Sequence, residues 1–400
     1  MIYIYYKLIR NAHILDPGCN RDEMGDLLIG GTKILPYSGG ELPDSCQVID
    51  AGGNLVLPGL IDFHTHIAYG LGDTGIHPDL MTIPNGITAA VDAGSTGTAA
   101  FEGLVRYVMA NNETTIRAFL HVAAIGVTTE VHSEQADPSL YDVERIRMLV
   151  ERYYPSVLLG LKVRVGRGFT TGWGAEPLKR AKELARQLGC PLCVHLTDSE
   201  FPYEEALNLL EAGDILCHCF QNRGRYSILD AQGQVLQAAR AAREKGVLFD
   251  MAAGRINYDL QVLKQAAAQG FWPDIISTDT VASSVYEHKL FGLPYVMSYA
   301  LDAGIPLMEV LRACTATPAA QMGLAGTIGT LQPGADADIA IFQLAQHPIT
   351  FCDQAGHRLE GEHLFVPLAT FKQGRAVYKR IEFEFWGQPH LSGVGATVCS

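Results

Sequence analysis

His64 and His66, one threonine apart in Leu60-Ile-Asp-Phe-His-Thr-His66, are the residues best spaced for metal chemistry. The apolar run 54–61 before them carries Pro58 and Gly59, the pattern of a turn leading into a buried strand. Strand residues two apart share a face. The two imidazoles therefore project together and can take two positions on one metal ion, most often zinc. Two hydrogen-bonded core histidines would give the same spacing by chance. Residues at the ends of later apolar runs favour the metal. Leu158-Leu-Gly-Leu-Lys162-Val-Arg164-Val sets a lysine inside an apolar run, Leu192-Cys-Val-His195 and Ile215-Leu-Cys-His218 each end in histidine, and Ile275-Ile-Ser-Thr-Asp279 ends in aspartate. Burying such groups unpaired is costly, above all the lysine and the aspartate. Metal at a common mouth compensates them, whereas the bland alternative for Lys162 is a lysine snorkelling to a rim.

Eight short apolar runs would position these groups: 60–66, 88–93, 117–125, 158–165, 192–196, 215–220, 247–251 and 275–278. Several are nearly continuous in apolar residues, as parallel strands covered on both faces are. Amphipathic segments alternate with them, clearest at 176–188, 229–245 and 260–269. Asp137-Pro138 should open a helix near Leu140, and Gly189 should close the one before Cys190. Eight such units over about 250 residues predict a closed (β/α)8 TIM-like barrel, whose active site lies where the strands end. An open doubly wound sheet would show a glycine-rich turn after its first strand; none follows His66. The flanks, 1–57 and 326–385, are short strand-like runs broken by Gly, Pro and Asp. They are expected to pair into one small β-sandwich domain beside the barrel of 58–325, with 386–400 a surface tail.

The 400 residues are 48% apolar and 18% charged, which marks a folded globular chain. A formal charge of −13 argues against nucleic-acid and anionic-membrane partners, because both need a basic footprint. No secretory signal pattern and no apolar run of membrane-spanning length is visible, so a cytoplasmic location is expected. Nine cysteines, an odd number, suit a reducing compartment. Cys190 with Cys193 and Cys217 with Cys219 could form a four-cysteine zinc site. Strand alternation turns Cys217 and Cys219 away from the His218 side, however, and small buried hydrophobes are the preferred reading.

The chain resembles the amidohydrolase superfamily from end to end. The matching pieces are Pro58-Gly-Leu-Ile-Asp-Phe-His-Thr-His66, Lys162, His195, His218, Asp279 and the return Thr327-Ile-Gly-Thr-Leu-Gln-Pro-Gly-Ala-Asp-Ala-Asp-Ile-Ala340. Gly160-Leu-Lys-Val-Arg164, Asp92-Ala-Gly-Ser95, His218-Cys-Phe220 and Asp274-Ile-Ile-Ser-Thr-Asp279 are similar to its dihydroorotase-like, deacetylase-like branch. The resemblance implies two divalent metal ions, zinc first among them. His64, His66 and Asp279 would hold one ion, and His195 and His218 the other. Lys162, carboxylated by carbon dioxide, would bridge both. It further implies attack by a metal-held hydroxide on an amide or ester (N-acyl or O-acyl) bond of a small carboxylate-bearing molecule. Asp279 would be the catalytic base and then the acid.

Substrate contacts are less legible. Dihydroorotases commonly carry an arginine two residues after the second histidine, where this chain has Ala68. Arg164, Arg167 and Arg223 are the candidate substrate-binding residues; Asn222, Tyr226 and His288 are further rim candidates, and His121 reads as a core histidine. After the seventh strand, Ala253 stands where the branch's Gly-His-Gly turn has its histidine, which should alter substrate contacts rather than metal binding. Rival readings are a cyclic amidase of dihydropyrimidinase type, a nucleobase-type deaminase, a phosphotriesterase-like enzyme, and a non-catalytic scaffold. A deaminase often lacks the carboxylated lysine, and a scaffold usually loses ligands; here every ligand position is filled. The resemblance also suggests a homo-oligomer.

Overall fold

The structure is a computed structural model and describes residues 5–254, 256–287 and 292–383. Of the sequence expectations, His288 and the tail from 386 lie outside the described residues.

The flanks build one sheet. β1 (Tyr6–Asp16), β2 (Arg21–Gly30), β3 (Lys33–Leu35), β4 (Gln47–Asp50) and β5 (Leu55–Pro58) precede the barrel. The barrel strands are β6 (Leu60–Thr65), β7 (Ile87–Asp92), β8 (Thr115–His121), β9 (Leu158–Val165), β10 (Leu192–Leu196), β11 (Ile215–Cys217) and β12 (Leu248–Asp250). After them come β13 (Ile339–Cys352), β14 (Arg358–Lys372) and β15 (Arg375–Lys379). The flanking strands run β15-β14-β13-β5-β1-β2-β3, with β4 also on β1. β5 lies antiparallel to β13, Pro58 facing Ile339, so the two ends of the chain are stitched together at the barrel's doorstep. Ile9, Ile14, Ile29, Val56, Ile341 and Phe371 share one apolar core there.

In the barrel, β6 to β12 pair in parallel and in sequence order. The eighth run forms no ladder. Residues 275–280 close the ring through single bridges, Ile275 to Asp250 and Thr280 to Thr65. The buried Asp62 carboxylate substitutes for ladder bonds by accepting from the Thr278 backbone N (3.0 Å) and Oγ1 (2.6 Å). Asp279 then turns into the left-handed region at φ 50°, which ends any extended run. The sixth run likewise stops at Cys217, because His218 is left-handed at φ 60°.

The Glu176–Leu188 helix matches its predicted span, with Pro177 in its first turn and left-handed Gly189 closing it. Two other helices are shorter or later than expected. Asp137-Pro138 makes only the short turn Pro138–Leu140, and the long helix Val143–Tyr153 starts from a second cap, Asp142. Residues before Gln237 fold into a turn, Leu229 facing Val235. The Asp230 carboxylate accepts from Gln232 and Gln234 there, and this competes with helix. Among the described residues no helix is long and apolar enough to cross a membrane.

Candidate metal centre

Parallel register carries the polar residues to one level of the barrel. Lys162 faces Cys193 across β9 and β10, and His195 faces Cys217 across β10 and β11. His64 and His66 leave the end of β6 beside them. His66 Nε2 lies 3.3 Å and His64 Nε2 3.6 Å from Asp279 Oδ1. The His195 and His218 rings stand 4.2 Å apart, and those of His64 and His218 5.1 Å apart. All six predicted positions thus meet at the barrel mouth. Non-glycine residues in the left-handed region cost about 1–3 kcal/mol each. Three of them cluster here: His218, Ala252 and Asp279.

Each histidine is oriented by a partner on one ring nitrogen. His64 Nδ1 donates to Asp250 Oδ2 at 2.9 Å. His66 Nδ1 meets Ser95 Oγ at 2.9 Å, and that hydroxyl donates to Asp92 at 2.6 Å. His218 Nδ1 donates to the Ala252 carbonyl at 2.7 Å, and His195 Nε2 pairs with Thr197 Oγ1 at 2.9 Å. These contacts fix the tautomers and turn the opposite nitrogens into the hollow, as outer partners of metal-binding histidines do. The buried His218 Nε2 has no hydrogen-bond partner among the described residues. Burial, reinforced by neighbouring positive groups, holds His64 and His195 well below the usual imidazole range; burial pulls His218 down to about 3. Neutral imidazoles are the form that binds metal. For Asp279, burial works upward. The hydrogen bond with His66 and the nearby His218 and His64 outweigh it and hold the carboxyl well below its ordinary range.

Lys162 is buried at 1% exposure, and among the described residues no carboxylate lies within ion-pair distance of it. Its Nζ sits 3.3 Å from His64 Nε2, 3.5 Å from Cys193 Sγ and 3.9 Å from Cys217 Sγ. Gly94 makes room for it, since a Cβ there would fall 2.7 Å from Lys162 Cγ. The two sulfurs are 3.3 Å apart. This revises the expectation from strand alternation. Cys217 points inward in register with His195, and His218 reaches the same hollow because its left-handed backbone breaks the alternation. The four-cysteine grouping does not form: Cys219 Sγ turns to the Asp250 carbonyl.

A cavity of about 200 Å³ opens above, lined by His66, His195, Asp279, Arg164, Phe169, Arg223 and Asn257 among others. The three candidate arginines differ. Arg164 is clamped on Glu134 by two bonds of 2.6 and 2.9 Å and stacks 3.8 Å over Phe169. Burial would raise the Glu134 pKa, but His121 and Arg164 hold it at about 2. Arg167 is exposed, faces Asp198 at 3.7 Å and is not in the cavity lining. Arg223 lines the cavity and donates to Asn257 Oδ1 at 3.1 Å, while Asn257 Nδ2 donates to Asp279 Oδ2 at 3.2 Å. Asn222 and Tyr226 are likewise absent from the lining. His121 is buried, accepting from Ala123 N at 3.0 Å. Glu134 and Asn257 went unnoticed in the sequence, because loop residues carry no periodic signal and their neighbours, such as Ser133, Gln135 and Asp259, are themselves polar.

A barrel mouth with these ligands and a flanking β-sheet defines a class. The Amidohydrolase family profile matches residues 55–377, and the chain belongs to that family of metal-dependent hydrolases. It is 32% identical over 348 residues to a protein of Agrobacterium fabrum named deacetylase, covering 86% of this chain and 84% of that one. A Brucella anthropi protein of the same name is 30% identical over 86% of each chain. Among solved structures, one described as a dihydroorotase superposes with a TM-score of 0.83 at 29% identity, covering 94% of this chain and 98% of that one. A dihydropyrimidinase from Brevibacillus agri, at 17% identity and TM-score 0.66 over 94% and 96% of the chains, shares the fold.

Proposed function

We propose that this chain is a binuclear metal-dependent hydrolase that cleaves the N-acyl or O-acyl bond of a small carboxylate-bearing molecule. The observation that carries the reading is Lys162, a buried ammonium without a carboxylate, facing imidazoles whose free nitrogens point into the same hollow. As a carbamate (amine plus carbon dioxide, less one proton) it becomes a two-oxygen anionic ligand. His64, His66 and Asp279 would hold one ion, His195 and His218 the other, with Lys162 between them. Zinc fits this donor set, as manganese or cobalt also would. Bound there, the ions would lower the pKa of a water and polarise the scissile carbonyl.

The protein's own groups complete the chemistry. Asp279 Oδ1, on the histidine side, takes the proton of the attacking water and returns it to the leaving nitrogen or oxygen. Asn257 keeps the other oxygen, Oδ2, occupied, so that Oδ1 faces the reaction. Arg223 receives the substrate carboxylate, since its other guanidinium donors remain for a ligand. Arg164, already neutralised by Glu134, walls the cavity together with Phe169. The volume, about 200 Å³, suits an acylated amino or hydroxy acid. The relatives named deacetylase support the acyl class.

The test is a hydrolysis panel of N-acyl amino acids and O-acyl hydroxy acids, with dihydroorotate and adenine as controls, on protein loaded with zinc and bicarbonate. Turnover of an acyl compound that chelator abolishes is the expected result. Turnover confined to a control would transfer the reading to a cyclic amidase or a deaminase.

A further inference from the structure

Beneath the metal centre, the hydrolytic reading leaves Cys193 and Cys217 without a task. Both are buried, at 2% and 0% exposure, and their sulfurs lie 3.3 Å apart. A ring nitrogen of His64 lies within 4.8 Å of both sulfurs. Lys162 Nζ completes a four-cornered cage at 3.3 Å from His64 Nε2 and 3.5 and 3.9 Å from the two sulfurs. Four donors at tetrahedral zinc distances of about 2.0–2.3 Å stand roughly 3.3–3.8 Å from one another. Three of the four measured edges, 3.3, 3.3 and 3.5 Å, fall in that range and the fourth, 3.9 Å, lies just above it, while the two His64–sulfur edges are bounded by 4.8 Å and must close on loading. His64 is also oriented as a ligand by Asp250.

We propose that His64, Lys162, Cys193 and Cys217 form a second, mutually exclusive metal site, a closed N2S2 cage for a soft divalent ion such as zinc or cadmium. The cage is occupied when Lys162 is not carboxylated. Tetrahedral N2S2 donors select these ions. Loading releases two thiol protons and one ammonium proton. The ion's two positive charges then meet two thiolates, and a buried charge of plus one becomes zero. That removes the buried charge that no carboxylate meets within ion-pair distance. The caged ion keeps no open position, unlike a catalytic site. It also occupies His64 and Lys162, which the binuclear centre needs. Carbon dioxide supply would thus choose between an active and a sequestered metal state. The cage stands on the four donor positions; its consequence for turnover rests on the proposed hydrolytic function.

Cobalt(II) is the probe, because thiolate coordination gives a charge-transfer absorption that imidazole and carboxylate ligands do not. The full-length apoprotein would be loaded with cobalt in carbon-dioxide-free buffer and, separately, with excess bicarbonate. The expected result is a thiolate-to-cobalt band without carbon dioxide that is at least about tenfold weaker with bicarbonate. C193S and C217S should each weaken the first band comparably while keeping the wild-type circular dichroism. Cobalt bound without any thiolate band in the wild type would overturn the proposal, and so would a band that survives in both variants. The wild-type pair of spectra decides the matter even if a variant does not fold. Acyl hydrolysis by the bicarbonate-loaded enzyme is read separately: turnover there with no thiolate band in the carbon-dioxide-free sample sinks only the cage, and a band in the carbon-dioxide-free sample with no turnover in bicarbonate sinks only the hydrolytic reading.

Discussion

Among the described residues three lysines are buried, and the company they keep divides the protein into two kinds of region. Lys372, the last residue of β14 in the flanking sheet, bonds Asp338 at 2.6 Å and Thr115 Oγ1 at 2.8 Å. Lys182, on the outer helix Glu176–Leu188, meets Asp214 at 2.5 Å and Glu211 at 3.0 Å. Lys162, at the barrel mouth, meets only an imidazole and two thiols. Where a lysine serves the scaffold, the chain supplies a carboxylate at hydrogen-bond distance. At the mouth the nearby carboxylates are directed elsewhere: Asp250 to His64 and Asp279 toward His66. On the proposed function the partner of Lys162 is metal together with carbon dioxide.

Replacing the two kinds of lysine should separate them. Lys162→Met is expected to lower turnover by at least about 10³-fold, equivalent to roughly 4 kcal/mol of barrier. It should cost the metal-free protein less stability in urea than Lys372→Met does, because Lys162 has no carboxylate at ion-pair distance to be left unpaired. Lys372→Met should do the reverse, losing about 3–5 kcal/mol of stability in a denaturant titration by leaving Asp338 unpaired, with turnover per folded molecule retained. Equal behaviour of the two variants would erase the distinction.

A finer test concerns the groups that aim the ligands. Asp250→Asn should weaken metal affinity by about 10–100-fold, measured by competition with a chromogenic chelator. The last test is at Glu134 and leaves the metal ligands untouched. Its folded pKa of about 2 lies below the ordinary 4.5, so its stabilisation is present above pH 4.5 and fades as pH falls toward 2. The stability gap between wild type and Glu134→Gln, on the order of 3 kcal/mol at neutral pH, should close over that window.

How much of this was legible beforehand follows from the kind of signal each residue leaves. The strands at 158–165 and 192–196 and the helix at 176–188 match their predicted spans, because apolar runs and end signals agree there. His64, His66, Lys162, His195, His218 and Asp279 stood out as polar residues terminating or interrupting such runs. The inward turn of Cys217 was hidden, because a left-handed backbone at His218 overrides strand alternation and no sequence rule forces a histidine into that conformation. The clamp of Glu134 on Arg164 joins a loop to a strand thirty residues on, and Asn257 couples two residues from different loops. Such pairings exist only once the barrel closes.

The most direct test of the central claim, that Lys162 is completed by carbon dioxide and metal, is carbon NMR of the zinc-loaded enzyme prepared with isotope-labelled bicarbonate. The account predicts a protein-bound carbamate resonance in the wild type that is lost in Lys162→Met. A fully metal-loaded, active enzyme with no carbamate resonance would contradict it.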